Sequence, residues 1–400
     1  MDREHKAVIV SALRSPVGKY GGALKDVRVD DMSATILQAL IDRTKVDPAT
    51  IDDVFWGCAN QAGEDNRNIA RMALLLGGFP QTVPGTTVNR LCGSSLEAII
   101  QASRSVWSGE NSAVIAGGAE SMTRAPYAIP KNVSGGALYG NLTAYDTALG
   151  WRFPNPKMEK MFPLESMGET AENVAEQYSI SRSDQDEFAL KSHYAALAAR
   201  QKFSEEIISI EIGTKSSVSK VAVDEGPRED TSLEKLSKLK PAFRENGSVT
   251  PGNSSSLNDG AAGVMLMSEA KAKSLGLKPL GTVVSSGVAG VDPRCMGIGP
   301  VPATRIAMQR AKLTMNDIGL VELNEAFAAQ SLAVIRELKL NPKIVNVNGG
   351  AIALGHPLGC SGARIMTTLL HEMQRRDIRY GLATMCIGVG QGIAVIVSRA

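Results

Sequence analysis

The sequence predicts an α/β protein of two related halves, with a segment of different character inserted in the first. One observation is a weak internal repeat. Residues 36–54 and 303–321 align without gaps, so that Arg43 faces Arg310, Lys45 faces Lys312, Val46 faces Leu313, Ile51 faces Ile318 and Val54 faces Val321. A second is that the same order of elements follows each copy. A third is the composition of 121–250, where Trp151, Met158, Met161 and Met167 stand beside Phe153 and Phe162, before a charged stretch from Lys215 to Arg244.

Each copy of the repeat reads as an amphipathic helix, a helix-cap turn at Asp47 or Thr314, and then a strand. In the first half, Thr87-Val88-Asn89 enters a Gly/Ser turn, the helix Leu96–Val106, and the strand Ala113–Ala116 ending at Gly117-Gly118. In the second, Val345–Asn348 enters a longer Gly-rich turn, the helix Ala363–Met373, and the strand Gly381–Met385 ending at Cys386-Ile387-Gly388. Strands alternating with helices predict a largely parallel, helix-covered sheet in each half. Ser181-Arg-Ser-Asp184 reads as a helix start inside the insert.

With 400 residues and a formal net charge of +2, the chain has room for two or three domains and no whole-molecule field that draws nucleic acid or membrane. The N-terminus is charged and lacks an apolar signal core, and no apolar run is long enough to span a bilayer. A cytoplasmic protein is expected. The five cysteines (58, 92, 295, 360 and 386) form no Cys-x-x-Cys pair, and with four histidines they show no metal-ligand spacing. No metal and no disulfide framework are expected. Cys58, Cys295 and Cys360 read as packed small hydrophobes.

Three positions differ. Cys92 follows a strand and precedes a helix in Asn89-Arg-Leu-Cys-Gly-Ser-Ser95, where unpaired N–H groups and the positive helix end favour a thiolate. His356 sits among glycines 349, 350, 355, 359 and 362, which allow close backbone approach. It suits a base for Cys92 and later a hydrogen-bond donor to a thioester oxygen. His5, His193 and His371 read as structural or surface residues. Cys386 ends a strand beside Gly388-Val-Gly-Gln-Gly392, whose open N–H groups suit an oxyanion site, and a pKa near neutrality would make it an acid/base. A dinucleotide fingerprint fails there, because no βαβ unit follows. Asn324, at the end of the second repeat's strand, could hold a water toward an oxyanion. A thiol, an imidazole and a second thiol suit acyl transfer between thioesters.

Taken together, Cys92-Gly-Ser-Ser, Gly117-Gly-Ala-Glu-Ser-Met122, Asn324-Glu-Ala-Phe, Gly349-Gly-Ala-Ile-Ala-Leu-Gly-His-Pro-Leu-Gly and Cys386-Ile-Gly388 resemble the thiolases along nearly the whole chain. The resemblance implies the thiolase fold, two pseudo-duplicated α/β halves in a five-layer αβαβα arrangement with an inserted loop domain. It assigns 1–120 plus about 245–275 to the first half, 121–244 to a lid contacting coenzyme A, and 276–400 to the second half. It implies thiolytic cleavage of a 3-oxoacyl-CoA through an acyl group on Cys92, with CoA as co-substrate, no permanent cofactor, and a homotetramer built as a dimer of dimers.

Cys386 would exchange protons with the acetyl-CoA carbanion and with the incoming thiol. One oxyanion hole would join His356 to a water on Asn324, and a second would use the N–H groups of Cys92 and Gly388. Arg228 matches a nucleotide-binding arginine, Phe243 packs near the adenine end, and Ser255 occupies the serine position of a pantetheine segment. Pro251 and Ser256 depart from that segment's usual Ala and Gly. Met167, Met296 and Phe327 would shape the acyl pocket. Ser166 replaces a histidine of some acetoacetyl-type members. Gly150–Met158 and Cys386–Ala394 look closest to 3-oxoadipyl-CoA thiolases of aromatic degradation, in which case Arg152, Lys157 or Lys160 would meet a distal carboxylate.

Three other readings compete. They are a short-chain acetyl-CoA acetyltransferase, a decarboxylating ketoacyl synthase, and a non-catalytic CoA-binding protein of the same fold.

Overall fold

The computed structural model describes residues 5–131, 141–214 and 217–400. The first four residues of the charged N-terminus and Lys215, which opens the charged stretch, lie outside them. The first half forms β1 (Ala7–Arg14), β2 (Gly18–Lys19), α1 (Val29–Thr44), β3 (Asp53–Gly57), α2 (Ile69–Leu76), β4 (Thr86–Val88), α3 (Ser94–Trp107) and β5 (Ala113–Ser121). The insert holds β6 (Tyr127–Ala128), β7 (Tyr145–Asp146), α4 (Pro156–Met161), α5 (Met167–Gln177), α6 (Arg182–Ala198), β8 (Ile210–Thr214), β9 (Ser217–Val221) and α7 (Leu233–Ser237). The chain returns through β10 (Asn258–Ser268) and α8 (Glu269–Ser274). The second half adds β11 (Gly281–Gly290), α9 (Pro300–Ala311), β12 (Leu320–Leu323), α10 (Ala328–Glu337), α11 (Ala351–Leu354), α12 (Leu358–Arg376), β13 (Tyr380–Ile387) and β14 (Gln391–Ser398).

The repeat is visible in the backbone. Lys45 ends α1 in the left-handed region at φ 57°, and Lys312 ends α9 there at φ 56°. Asp47 and Thr314 then cap equivalent short 3₁₀ turns, and Val54 and Val321 are buried in β3 and β12. The strands run in the order β12-β13-β14-β11-β1-β10-β5-β3-β4, and β1 joins β11 through the pairs Val8–Thr282 and Ile9–Gly281. Alternation along the strands then makes the layers. Val114, Ala116, Val264 and Leu266 of one half, and Ala383, Met385, Ile393 and Val395 of the other, pack with residues of α3 and α12 in a shared central core. Their neighbours Ile115, Met265 and Met267 pack on α1 and α2, and Leu382, Ala394 and Ile396 pack on α9 and α10. The result is helix, sheet, helix, sheet, helix.

The expectation of largely parallel sheets is corrected. The pairs β3–β4, β3–β5 and β12–β13 are parallel, but β1–β10, β10–β5, β1–β11, β11–β14 and β13–β14 are antiparallel. The physical reason is connectivity. β13 and β14 are joined by a tight hairpin, and β10 enters the first half from the insert, so neither needs a helical crossover.

The insert is bolted to the rest by buried charge. Arg14 of β1 meets Glu206 at 2.6 Å and Asp224 at 2.7 Å, and Thr368 of α12 donates to Glu206 at 3.0 Å. Removing one member of such a set leaves an unpaired buried charge, typically at a cost of about 3–5 kcal/mol.

Candidate active site

The two central helices begin side by side. The Ala363 N–H of α12 donates to Ser95 Oγ of α3 at 2.9 Å, and a Cβ on Gly362 would lie 2.4 Å from Leu96 N. The loops that precede these helices carry Cys92 and His356, so their convergence brings together residues 264 positions apart.

The Cys92 turn is built by short-range hydrogen bonds. Asn89 Oδ1 accepts the Leu91 N–H at 2.9 Å, Ser94 Oγ accepts the Arg90 N–H at 3.0 Å, and Ser94 donates to Leu91 O at 2.6 Å. Leu91 is held at φ +46°, a left-handed conformation uncommon for a branched apolar residue. Gly93 caps α3, so Cys92 lies one residue before the cap. A side chain at Gly93 would meet Ile387 Cδ1 at 2.6 Å, so glycine lets the turn press against β13, the strand that carries Cys386. Arg90 Nη1 also donates to Gln391 Oε1 of β14 at 3.0 Å. Across the turn, the β13–β14 hairpin places Val389 at φ +63° beside Gly388, a strained position for a β-branched residue.

His356 is buried, with its N–H donating to Asn258 Oδ1 of β10 at 3.0 Å. The preceding Gly355 has φ +109°, and a Cβ there would strike Asn258 Cγ at 2.4 Å. Ser361 Oγ lies 2.6 Å from His356 Nδ1 and 2.8 Å from the carbonyl of Pro357. A hydroxyl has one hydrogen, and a carbonyl can only accept it. The hydroxyl therefore donates to Pro357 O, and Nδ1–H donates to the hydroxyl, leaving Nε2 as the unprotonated, accepting nitrogen of the ring. The Asn324 amide nitrogen sits 3.5 Å from Nδ1 and 3.4 Å from Nε2. Its Oδ1 is buried with no hydrogen-bond partner, and its backbone N–H donates to Thr384 O of β13 at 3.0 Å. An amide so placed has capacity left for a water or substrate oxygen.

Cys386 is buried in an apolar cluster with Met296, Ala326, Phe327, Ala171 and Val249, against which Met167 packs. Burial pushes its thiol strongly up, and the neighbouring Cys92 adds to the rise. Cys92 is also raised by burial, with the backbone N–H groups of Gly388 and Cys92 opposing. The sequence-based expectations of a favoured thiolate at 92 and a near-neutral pKa at 386 are therefore corrected. The N–H groups that oppose the rise at Cys92 are its own and that of Gly388, not those at the start of α3, which are bonded to Arg90 O and Leu91 O, and desolvation outweighs them. Burial, with the charge of Arg364, brings His356 down to about 4, so the imidazole is neutral at pH 7.

Cys92 opens into a cavity of ≈ 250 Å³ lined by Leu91, Trp151, Arg152, Met167, Gly388 and Val389, among others. Ser166 is also on its wall, as the N-cap of α5. A second cavity, ≈ 450 Å³, is lined by Arg228, His193, Lys19, Lys235, Ser254 and Ser256, among others. Ser255 is tied to the Asn324-Glu-Ala-Phe segment, its N–H and hydroxyl each donating to Ala326 O at 3.0 Å. Phe243 packs on Gly168 and stands edge-on to Phe327, with centroids 6.4 Å apart, and does not line the Arg228 cavity. Cys92, Gly388 and Met167 thus line one cavity, Cys386, Met296 and Phe327 cluster against Met167, His356 pairs with Asn324, and Arg228 faces a separate groove.

Sequence reasoning passed over several supporting groups. Glu120 accepts from the N–H groups of Ala59 at 2.9 Å, Asn60 at 3.2 Å and Gly359 at 2.9 Å, tying the cavity wall to the histidine loop. Its place in Gly117-Gly-Ala-Glu was the available signal. Ser361 was marked only by its position five residues after His356. Asn258 carried no local signal. His193, read as structural, accepts the Arg228 N–H at 3.2 Å in the groove wall. Among the described residues, no group of three His, Cys, Asp or Glu side chains could hold a metal ion.

Two neighbouring thiols, one of them facing the backbone N–H groups of Cys92 and Gly388, with a neutral imidazole on the loop that leads into the adjoining helix, define a thiol-dependent acyltransferase. The sequence matches the thiolase N-terminal domain over residues 7–270 and the thiolase C-terminal domain over 277–399. It is 52% identical to the 3-oxoadipyl-CoA/3-oxo-5,6-dehydrosuberyl-CoA thiolase of Escherichia coli K12, covering 98% of this chain and 99% of that one. It is 51% identical to the beta-ketoadipyl-CoA thiolase of Pseudomonas putida, covering 98% of both. The crystal structure of the Bacillus anthracis acetyl-CoA acetyltransferase superposes with a TM-score of 0.93 at 44% identity, over all of both chains. The chain belongs to the thiolase family, and it is an acyltransferase that acts on CoA thioesters.

Proposed function

We propose that this thiolase cleaves 3-oxoadipyl-CoA with CoA, giving succinyl-CoA and acetyl-CoA. Support for the substrate comes from the relatives named for it at 50–52% identity over essentially the full chain. Support for the chemistry comes from one observation above others: Cys92 lines a cavity with Gly388, and Cys386, buried in β13 two residues before Gly388, is close enough to Cys92 for the two thiols to influence each other.

His356 Nε2 takes the Cys92 proton as the sulfur attacks the C3 carbonyl, since neither thiol is ionised beforehand. The N–H groups of Cys92 and Gly388 stabilise the oxygen on that carbon. The Cα–Cβ bond breaks, and the electrons move onto the acetyl-CoA thioester, whose oxygen is met by His356 Nε2–H and a water on Asn324. Cys386 gives its proton to the carbanion, and acetyl-CoA leaves. The Cys386 thiolate then deprotonates a second CoA, whose sulfur takes the acyl group from Cys92, and the released Cys92 sulfur recovers its proton from His356 Nε2.

CoA serves as co-substrate, and no permanent cofactor has a role in these steps. Residues 121–244 act as the lid, between first-half segments 1–120 and 245–275 and a second half from 276. Arg228 meets the nucleotide end, Ser255 the pantetheine arm, and Met167, Met296 and Phe327 the acyl chain. Phe243, over Gly168 and beside Phe327, packs near the adenine end. The protein works as a cytoplasmic homotetramer. Exposed apolar side chains at Tyr127, Ile129, Leu149, Phe153 and Met161 would favour such an assembly. Among the described residues, no helix is long and apolar enough to cross a membrane.

The competing reading is an acetyl-CoA acetyltransferase, as the Bacillus anthracis neighbour is called. Turnover of 3-oxoadipyl-CoA and acetoacetyl-CoA with free CoA separates the two. A kcat/KM for acetoacetyl-CoA equal to or above that for 3-oxoadipyl-CoA overturns the proposal.

A further inference from the structure

We infer that Arg152 is the specificity-determining residue that binds the far carboxylate of a dicarboxylic acyl chain attached to Cys92. The inference rests on the substrate reading above and names the group that enforces it.

Three cations near the start of the insert stand as candidates, and the structure separates them. Lys157 and Lys160 are exposed on α4 and do not line the Cys92 cavity. Arg152 does line it. Its Nη2 donates to the carbonyl of Asn60 at 2.6 Å, which fixes the guanidinium plane. Its Nη1 is buried without a hydrogen-bond partner. Among the described residues, no carboxylate forms an ion pair with Arg152.

The two acids on the same wall are already committed. Glu120 is held by the N–H groups of Ala59, Asn60 and Gly359. Glu165 is paired with Arg294 at 3.1 Å and accepts from Asn173 at 3.1 Å. The cavity therefore contains one cation with an unfilled donor and no anion free to fill it. Trp151, Leu149 and Ala148 give the methylene groups an apolar wall.

An acyl chain ending in a methyl group would leave Nη1 unpaired, and one ending in a carboxylate would satisfy it. Sites built around a polar partner reject the analogue that lacks it more strongly than apolar pockets do. Guanidinium also presents paired donors to a carboxylate plane, which an ammonium cannot.

The test is the ratio of kcat/KM for 3-oxoadipyl-CoA over 3-oxohexanoyl-CoA, which has the same chain length but no carboxylate. The wild type is expected to favour the dicarboxylate. In Arg152→Met the ratio falls by roughly 30-fold, the size expected for a lost charged hydrogen bond, and Arg152→Lys falls between. Turnover of 3-oxohexanoyl-CoA reports whether each variant is folded. The methyl ester of 3-oxoadipyl-CoA, tested on the wild type, supplies a measure independent of any variant. It should lose the preference as Arg152→Met does. A wild-type ratio near one overturns both the substrate reading and the role of Arg152. A high wild-type ratio that persists in Arg152→Met, or in the ester, overturns the role of Arg152 alone.

Discussion

The hydroxyl of Ser361 sits 2.6 Å from Nδ1 of His356 while donating to the carbonyl of Pro357, and this fixes which ring nitrogen is free to take a proton. Ser361 is a positioning residue, because it acts through the imidazole and not on the substrate. In Ser361→Ala the ring loses its tautomer preference, and the base form at Nε2 is no longer enforced. We expect kcat to fall by about 10-fold with little change in KM, on the scale of one neutral hydrogen bond. Burst kinetics should show the loss in the acylation step. An unchanged burst rate would remove Ser361 from this role.

Asn324 has its backbone fixed to β13 and an amide oxygen with no partner. Asn324→Ala keeps the backbone bond and removes only the amide. As with other oxyanion donors, kcat should drop by about 10²–10³-fold. Steady-state kinetics with circular dichroism on the same sample checks it, and a change confined to KM would contradict the assignment.

The depressed His356 also sets a pH dependence of stability. Its folded pKa is about 4, below an ordinary value of 6.5. Between these values the unfolded chain binds more protons, so folding stability is full above pH 6.5 and declines as the pH falls toward 4. The decline from this group is about 3 kcal/mol. His193, also held down to about 4 by burial and then by the charge of Arg228, adds a decline in the same direction. Urea midpoints measured from pH 7 to 4 should fall in the wild type and fall less steeply in His356→Asn. Parallel slopes would contradict the account.

The repeat and the start of α6 were legible because they depend on local pattern, whereas α12 begins at Leu358, five residues before the expected Ala363, inside the stretch read as a Gly-rich turn. Ser181 caps α6 as its sequence suggests, accepting the Asp184 N–H. Lys45 and Lys312 occupy the same left-handed position in both copies. Strand direction was less legible. Nothing within 258–268 says that this segment inserts between β1 and β5, because pairing is decided by distant partners. Burial depth was the other blind spot. The start of α3 suggests donors for the Cys92 sulfur, but one of the two that reach it belongs to Gly388, nearly 300 residues away, and the desolvation that outweighs them comes from burial in the folded protein.

The central claim is a division of labour, with Cys92 carrying the acyl group and Cys386 moving the proton. It is tested most directly by giving Cys386→Ala an acyl-CoA in deuterated buffer and following two signals together. The account predicts a Cys92 acyl adduct by intact-mass measurement, absent from Cys92→Ala, and no deuterium entering the methyl group of acetyl-CoA. Exchange by Cys386→Ala at the wild-type rate would contradict it.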